Sequence, residues 1–286
     1  MRKTRAYLHL IRPVNCVMMG FAVIIGAVLT GLNDLNAFWP RLVFGFVTGF
    51  ALTAASMAIN DYYDREIDAV NEPNRPIPSG ATKPKEALAL ALFLTAVGFS
   101  AAYLTNVPCF LTAVIAWLVF VAYTTVGKRS GLPGNFLVSA VVAIPVVYGS
   151  IAITGPVVPV KLNVLIFASI AFLSNTGREI TKGIVDIQGD KSQNVKTLAV
   201  RYGEKAAGVV AVFFYSLAVF LSPIPWFARL VSIWFIPLVA VFDFGLLASS
   251  FTLLRDTSRE NARKVKKNML FWFIFGLLAF VAGAYG

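Results

Sequence analysis

The 286 residues are 58% hydrophobic and only 14% charged, with a mean hydropathy of +0.74. Soluble domains carry about 25% charged residues, so this composition excludes an ordinary soluble domain and points to one integral membrane domain spanning residues 1–286. The net charge of +11 does not indicate nucleic acid, because the bases sit in short loops between apolar runs, where they mark topology and face anionic lipid headgroups.

In chain order, residues 1–12 carry four bases and no acid. The apolar run that follows begins Arg12-Pro13-Val14-Asn15 and lacks a small-residue cleavage site, so it reads as a retained first helix, Val14 to Thr30. Eight further segments follow: Phe38 to Asp61, Lys85 to Leu104, Pro108 to Gly127, Asn135 to Thr154, Leu162 to Asp186, Glu204 to Pro223, Leu230 to Leu254 and Asn268 to Tyr285. Each is near the length that spans hydrocarbon, so the expected fold is all-α and polytopic, with nine transmembrane helices around a central cavity. Thr105-Asn106-Val107 alone separates the third from the fourth, which predicts a tight antiparallel pair.

Charge tests the count. With nine helices, 22 of the 25 Lys and Arg fall on the side of the N-terminus, leaving Arg41, Lys161 and Arg229 opposite. The rule that positive loops stay inside then puts the N-terminus in the cytoplasm and the C-terminus outside.

The stretch Asn60 to Gly80 is the chemical centre of the chain. Five of the 14 acids (Asp61, Asp64, Glu66, Asp68, Glu72) fall within residues 60–72. Asn60, Asp64 and Asp68 recur every fourth residue, so a helix sets them on one side with a drift of about 40° per step. Solvation of a helix end needs no such spacing. An amide and two carboxylates so placed make half a site for a hard divalent cation such as Mg²⁺. The run Arg75-Pro76-Ile77-Pro78 is expected to end that helix.

A second polar group closes the sixth segment. At about 100° per residue, Asn175, Arg178, Glu179, Lys182, Asp186 and Asp190 share a stripe about 120° wide. Ionisable residues on a membrane helix face a bundle interior or a watery cavity. Two carboxylate clusters on one membrane face can hold cations around one diphosphate and stabilise its charge as it leaves an allylic carbon. Arg75, Lys128, Arg129 and Lys182 are the bases placed to hold phosphate, Lys128 first among them, and Tyr123 is expected near the same end. Asn15, just inside the first helix, either joins this polar cluster or bonds a neighbouring helix. Asp243, in the middle of the eighth segment, has no basic partner at helical spacing.

Other chemistries find little support. Cys16 and Cys109 lie in separate apolar segments and have neither metal-ligand nor disulfide spacing. The lone histidine, His9, sits in the basic lead-in, which removes histidine-based catalysis and argues against a zinc site. The acid-rich loops after the second and sixth segments, four helices apart, hint at a twofold design without sequence identity. A secondary transporter would place its charges near mid-membrane, whereas these cluster at one interface.

Asn60-x3-Asp64-x3-Asp68, Asp186-x3-Asp190, the Arg75-Pro76 ending and the nine segments together resemble the UbiA-type intramembrane prenyltransferases over nearly the whole chain. That resemblance implies Mg²⁺-dependent transfer of a polyprenyl group from its diphosphate to a lipophilic acceptor. It implies that Asn60, Asp64, Asp186 and Asp190 serve the metal and diphosphate, with Asp68 close by. Asp64-Arg-Glu-Ile-Asp68 and Arg75-Pro-Ile-Pro-Ser-Gly80 look like both the chlorophyll and the archaeal ether-lipid branches, whereas Gly177-Arg-Glu-Ile-Thr-Lys182 with Lys196-Thr-Leu198 looks more like the latter. The archaeal branch joins geranylgeranyl, from geranylgeranyl diphosphate, to the hydroxyl of geranylgeranylglyceryl phosphate. The alternative within the family is an aromatic or tetrapyrrole acceptor. Relatives often carry another aspartate where this chain has Gly183. For an acceptor that brings its own phosphate, Arg178 and Lys182 are the bases on the inward stripe. The abundant phenylalanines are available to line a prenyl tunnel.

Overall fold

The computed structural model describes residues 3–31, 35–155 and 159–284. All regular structure among these residues is helical. A short lead-in, α1 (Lys3–Ile11), turns at Arg12, whose φ is 51°, into α2 (Pro13–Gly31). Then come α3 (Leu35–Tyr63), the short α4 (Arg65–Asn71), α5 (Pro84–Thr105), α6 (Val107–Thr125), α7 (Leu132–Thr154) and α8 (Leu162–Val185). The short α9 (Ile187–Ser192), α10 (Leu198–Leu221), the single turn α11 (Ile224–Phe227), α12 (Phe235–Arg255) and α13 (Arg259–Ala284) complete the described chain.

Nine of these helices have 19 residues or more. Eight are long and apolar enough to cross a membrane. The exception is α8, which is as long as its neighbours, but Arg178, Glu179 and Lys182 occupy its last two turns. The segment expected to be most polar is the one that departs from the apolar pattern. Tyr285 and Gly286, the expected end of the last segment and of the chain, lie outside the described residues.

Asn106 alone links α5 to α6, and its side chain accepts the Cys109 N–H at 2.7 Å, so the tight pair forms as its sequence predicts. Helix α13 starts about two turns before its apolar run, carrying the bases of residues 263–267 on a helical surface, with Lys264 paired to Glu260 at 2.9 Å. Helix α10 begins at Leu198, capped by Thr197, and kinks at Gly203, where φ is 85°. The expected start at Glu204 is therefore the kink. Helix α12 starts at Phe235, five residues later than expected.

The helix through the first acidic motif ends earlier than expected. It stops at Asn71, with Glu72 as its C-cap, rather than at Arg75-Pro76. Pro73 is the physical reason, because the residue before a proline is pushed out of helical geometry. The core is largest around α8, α10, α12 and α13, where Phe167 and Phe280 stack with centroids 4.2 Å apart. Gly31, Asn163 and Gly283 meet Lys161 and Arg229 around a cavity at one end of the bundle. Arg12 and the acidic motifs meet at the other. The described chain thus starts and finishes at opposite ends.

Candidate active site

Each acidic motif is built on the same local device. A long helix ends, one aspartate interrupts it, and a short helix continues the hydrogen-bond ladder. Between α3 and α4 the interruption is Asp64, at φ −87° and ψ 1°; between α8 and α9 it is Asp186, at φ −96° and ψ 6°. The ladder is continuous through both: Asp64 N–H to Asn60 C=O at 2.8 Å, Asp68 to Asp64 at 2.7 Å, and Asp190 to Asp186 at 2.9 Å. The four-residue spacing survives, while the short helices turn their carboxylates inward.

The two short helices pack on each other. The Asn71 side-chain amide donates to the Asp186 carbonyl at 3.0 Å, and its oxygen accepts the Gly189 N–H at 3.0 Å. A Cβ at Gly189 would lie 2.4 Å from the Asn71 amide nitrogen and 2.9 Å from the Ile67 carbonyl, so this approach requires glycine. From α13, Arg259 donates to the carbonyls of Val185 and Asn71, each at 3.0 Å, which ties the second hinge and the end of α4 to a third helix. The sequence reading missed Asn71 and Arg259. Neither residue stands in a spacing pattern that marks it in the sequence.

Asp64, Asp68, Asp186 and Asp190 line one cavity together with Arg75, Tyr123, Lys128 and Lys182. Asp64 pairs with Lys128, which lies on the 3₁₀ turn Gly127–Ser130 between α6 and α7. Asp68 pairs with Arg75 at 2.5 Å. Glu179, also in the lining, is held by Arg178 at 3.2 Å and by Lys182 at 3.5 Å. Arg129 is exposed and borders the neighbouring cavity.

Three expected site residues lie off this cavity wall. Asn60 sits at its edge, accepting from Thr124 Oγ1 at 3.4 Å. Asn15 lies at the start of α2, and the cavity lining does not include it. Arg178 is 16% exposed and bends to Glu179, with a buried Nε that has no hydrogen-bond partner. Asn175, on the predicted stripe, donates to Ser139 of α7 at 3.1 Å. Asp61, buried and unassigned in the sequence, is held by Arg12 at 2.5 Å and Arg75 at 3.4 Å. It therefore fixes Arg75 and the start of α2 at the cavity. Asp243 accepts from Ser222 at 2.6 Å, far from this group in the chain, and supplies the partner that the sequence left blank.

Charge in the site is unbalanced in a telling way. Asp186 and Asp190 have no ion pair among the described residues, although Asp190 is only 4% exposed. Burial, and then the charge of Asp186, push the Asp190 carboxyl up to about 7 against the pull of Lys128 and Lys182. Burial also pushes Asp68 up to about 6, with Arg75 opposing and Asp64 and Asp61 assisting. Added positive charge would relieve both. Among the described residues no three acids, cysteines or histidines converge tightly enough to form a metal cage by themselves. The donor chemistry nonetheless fits Mg²⁺, which takes few carboxylates and completes its shell with water and substrate phosphate.

Gly183 lines the same cavity, and a Cβ there would meet only Thr197, at 3.7 Å. Where the resemblance has an aspartate, a Cβ would therefore be accommodated at ordinary contact distance.

The chain is similar to known proteins over nearly its whole length. The model of the UbiA prenyltransferase family matches residues 18–275. A digeranylgeranylglyceryl phosphate synthase of Methanosarcina mazei is 37% identical, over 98% of each chain. A solved structure concerning digeranylgeranylglyceryl phosphate synthase in membranes superposes with a TM-score of 0.73 at 32% identity, over 99% of each chain. A UbiA homolog from Archaeoglobus fulgidus, solved with DMAPP and Mg²⁺, shares the fold at a TM-score of 0.64 and 18% identity, covering 96% of this chain and 99% of that one.

Proposed function

The chain belongs to the UbiA prenyltransferase family, and we propose that it is the multi-pass membrane enzyme that transfers a geranylgeranyl group from its diphosphate to the hydroxyl of geranylgeranylglyceryl phosphate. The observation that carries this reading is the pair of matching hinges, which turn Asp64 and Asp68 towards Asp186 and Asp190 across one cavity that also holds Arg75, Lys128 and Lys182.

Asn60, Asp64, Asp186 and Asp190 are the residues that would hold Mg²⁺, which supplies Lewis-acid stabilisation of the departing diphosphate. The bases do the rest of the electrostatic work. Lys128 releases Asp64 and turns to a phosphate oxygen, with Lys182 and Arg75 as further cationic contacts. Asp68 holds Arg75 in place rather than binding substrate directly. As the carbon–oxygen bond to diphosphate breaks, the acceptor hydroxyl oxygen forms the new ether bond at the allylic carbon, and its proton passes to the released diphosphate. Positive charge developing on that carbon lowers the need for a strong base, which suits a cavity whose lining has no histidine.

Arg178 favours a phosphate-bearing acceptor over an aromatic one. Its guanidinium is largely buried beside the site, and its free Nε is an unmet donor that a second anion would satisfy. A transporter reading has little to stand on, because the ionisable cluster lies at one end of the bundle and Asp243 is already bonded to Ser222. The basic end of the bundle belongs in the cytoplasm by the positive-inside rule, with α8 as the ninth span. The cell membrane is the expected location.

Incubating purified protein with Mg²⁺, labelled geranylgeranyl diphosphate and a panel of acceptors tests the reading. Product is expected with geranylgeranylglyceryl phosphate and lost on chelation. Turnover of an aromatic acceptor alone would overturn it.

A further inference from the structure

Arg41, Lys161 and Arg229 lie at the end of the bundle opposite the carboxylates. Membrane proteins shed bases from that side, so those that remain call for a reason. Arg41 has one: its Nη1 donates to the Ala152 carbonyl at 3.4 Å, and its guanidinium lies over the Phe38 ring, 5.6 Å from the centroid. Lys161 and Arg229 make no side-chain hydrogen bond or ion pair among the described residues, and both line one cavity of about 540 Å³. The last turns of α2 and α13, the first turn of α8 and the turn between α11 and α12 frame it.

Local structure sets both bases at this cavity. A Cβ at Gly31 would lie 3.4 Å from Lys161 Nζ, so the ammonium is folded back over the end of α2. Arg229 stands in left-handed backbone, at φ 54°. The turn that holds it closes α11, with Leu230 N–H on the Pro225 carbonyl at 2.9 Å and Arg229 N–H on that of Trp226 at 3.0 Å. This pair of bonds ordinarily has glycine at the position of Arg229, because a side chain there is strained. Ser232 N–H, bonded to the Gly283 carbonyl at 2.8 Å, fixes the same turn to α13. Two other non-glycine residues have positive φ: Asn194, of a type that tolerates it, and Arg12, which holds the buried Asp61. Arg229 keeps the strained backbone with no partner for its charge, and such strain is a reason to look for a ligand.

The cavity suits an amphiphile with a negative head. No acid lines it among the described residues. The Asn163 amide is already engaged, donating to the Leu29 carbonyl and accepting the Val164 N–H, each at 2.9 Å. Val28, Leu162 and Val231 make much of the remaining wall aliphatic. A guanidinium grips phosphate with two parallel hydrogen bonds and an ammonium adds a point charge, so the pair matches one phosphate group. At the end of a membrane bundle, the phosphate at hand is that of lipid headgroups.

We propose that Lys161 and Arg229 hold the phosphate of a membrane lipid in the leaflet opposite the catalytic end, with the first carbons of its chains against the aliphatic wall. A lipid so held ties α2, α8 and α13 together where the carboxylate site gives no support. This site is independent of the prenyl-transfer reading.

The test uses the whole protein in uncharged detergent and reads its thermal midpoint with phosphatidylglycerol, with diacylglycerol of the same chains, or with inorganic phosphate. Phosphatidylglycerol is expected to raise the wild-type midpoint by roughly 3 °C or more, and the other two to do little. Arg229→Gly installs the residue that the turn favours, so its midpoint without lipid should not fall below that of the wild type. It and Lys161→Ala should each lose more than about half of the lipid-dependent rise. Arg201→Ala, which removes an exposed base at the catalytic end, should keep it. Arg229→Gly with the full rise overturns the site. A midpoint that falls in Arg229→Gly without lipid overturns it too, since Arg229 would then be a structural prop. An equal rise with inorganic phosphate overturns the lipid as occupant.

Discussion

Asn71 and Asp186, 115 positions apart, are joined by a 3.0 Å hydrogen bond from the Asn71 amide to the Asp186 carbonyl. The same side chain accepts the Gly189 N–H, so one residue at the end of the first motif braces both sides of the hinge in the second. The two carboxylate pairs therefore hold their mutual position through backbone groups, with Asp64 and Asp68 paired to Lys128 and Arg75 and with Asp186 and Asp190 outside any ion pair among the described residues.

Replacing Asn71 with Ala removes both bonds and leaves a buried N–H without a partner, a loss of about 1–3 kcal/mol. Asn71→Ala is expected to lower the thermal midpoint in detergent and to raise the Mg²⁺ concentration needed for half-maximal rate. A variant with wild-type Mg²⁺ dependence would show that the brace does not set the carboxylates.

The metal reading predicts that Asp64→Asn and Asp186→Asn each reduce turnover by about a hundredfold or more, with elution from size-exclusion in detergent unchanged. Asp64→Asn also frees Lys128, so its diphosphate affinity should fall less than its rate. Full activity in chelator would rule out the metal.

Much of this was legible in the sequence, for physical reasons. Asn60, Asp64 and Asp68 were visible because a helical period of four leaves a mark in one dimension, and hydrophobic length marked the spans. The hinges were invisible, since Asp64 and Asp186 interrupt a helix without a proline or glycine. Asn71–Asp186 and Arg12–Asp61 were invisible because long-range pairing leaves no local pattern. Pro73 was legible and was passed over in favour of the more conspicuous Arg75-Pro76.

Gly183 offers a gain rather than a loss. A Cβ there would meet Thr197 at ordinary contact distance, so Gly183→Asp is expected to fold, to add a carboxylate to the cavity wall and to tighten Mg²⁺ binding. Titrating activity against Mg²⁺ should show a lower half-saturation point. A higher one would mean that the new charge repels Asp186 more than it helps the metal.

Topology is tested by single cysteines in a background without Cys16 and Cys109, both of which are buried. Ser79 lies after the first motif and Arg229 in the opposite cavity, so Ser79→Cys and Arg229→Cys should label from opposite sides of the membrane. Gly286→Cys should behave like Arg229→Cys. Labelling of Ser79 and Arg229 from one side would break the alternation that puts α8 across the membrane.

On the proposed reading the acceptor is chosen at Arg178. With diphosphate and metal on the Asp64–Asp186 side, a second anion beside them would need its own cation, or repulsion would oppose binding. Lys182 already faces Glu179 from within the cavity lining, whereas Arg178 reaches Glu179 through Nη1 alone and keeps a buried Nε unspent. A guanidinium can hold a carboxylate with one edge and a phosphate with the other, which an ammonium cannot do as well. Arg178→Ala is therefore expected to raise the KM for geranylgeranylglyceryl phosphate by about tenfold or more and to move the KM for the prenyl diphosphate much less. Arg178→Lys should recover only part of the loss, since it restores charge without the planar fork. Equal shifts for both substrates would make Arg178 a general source of positive potential.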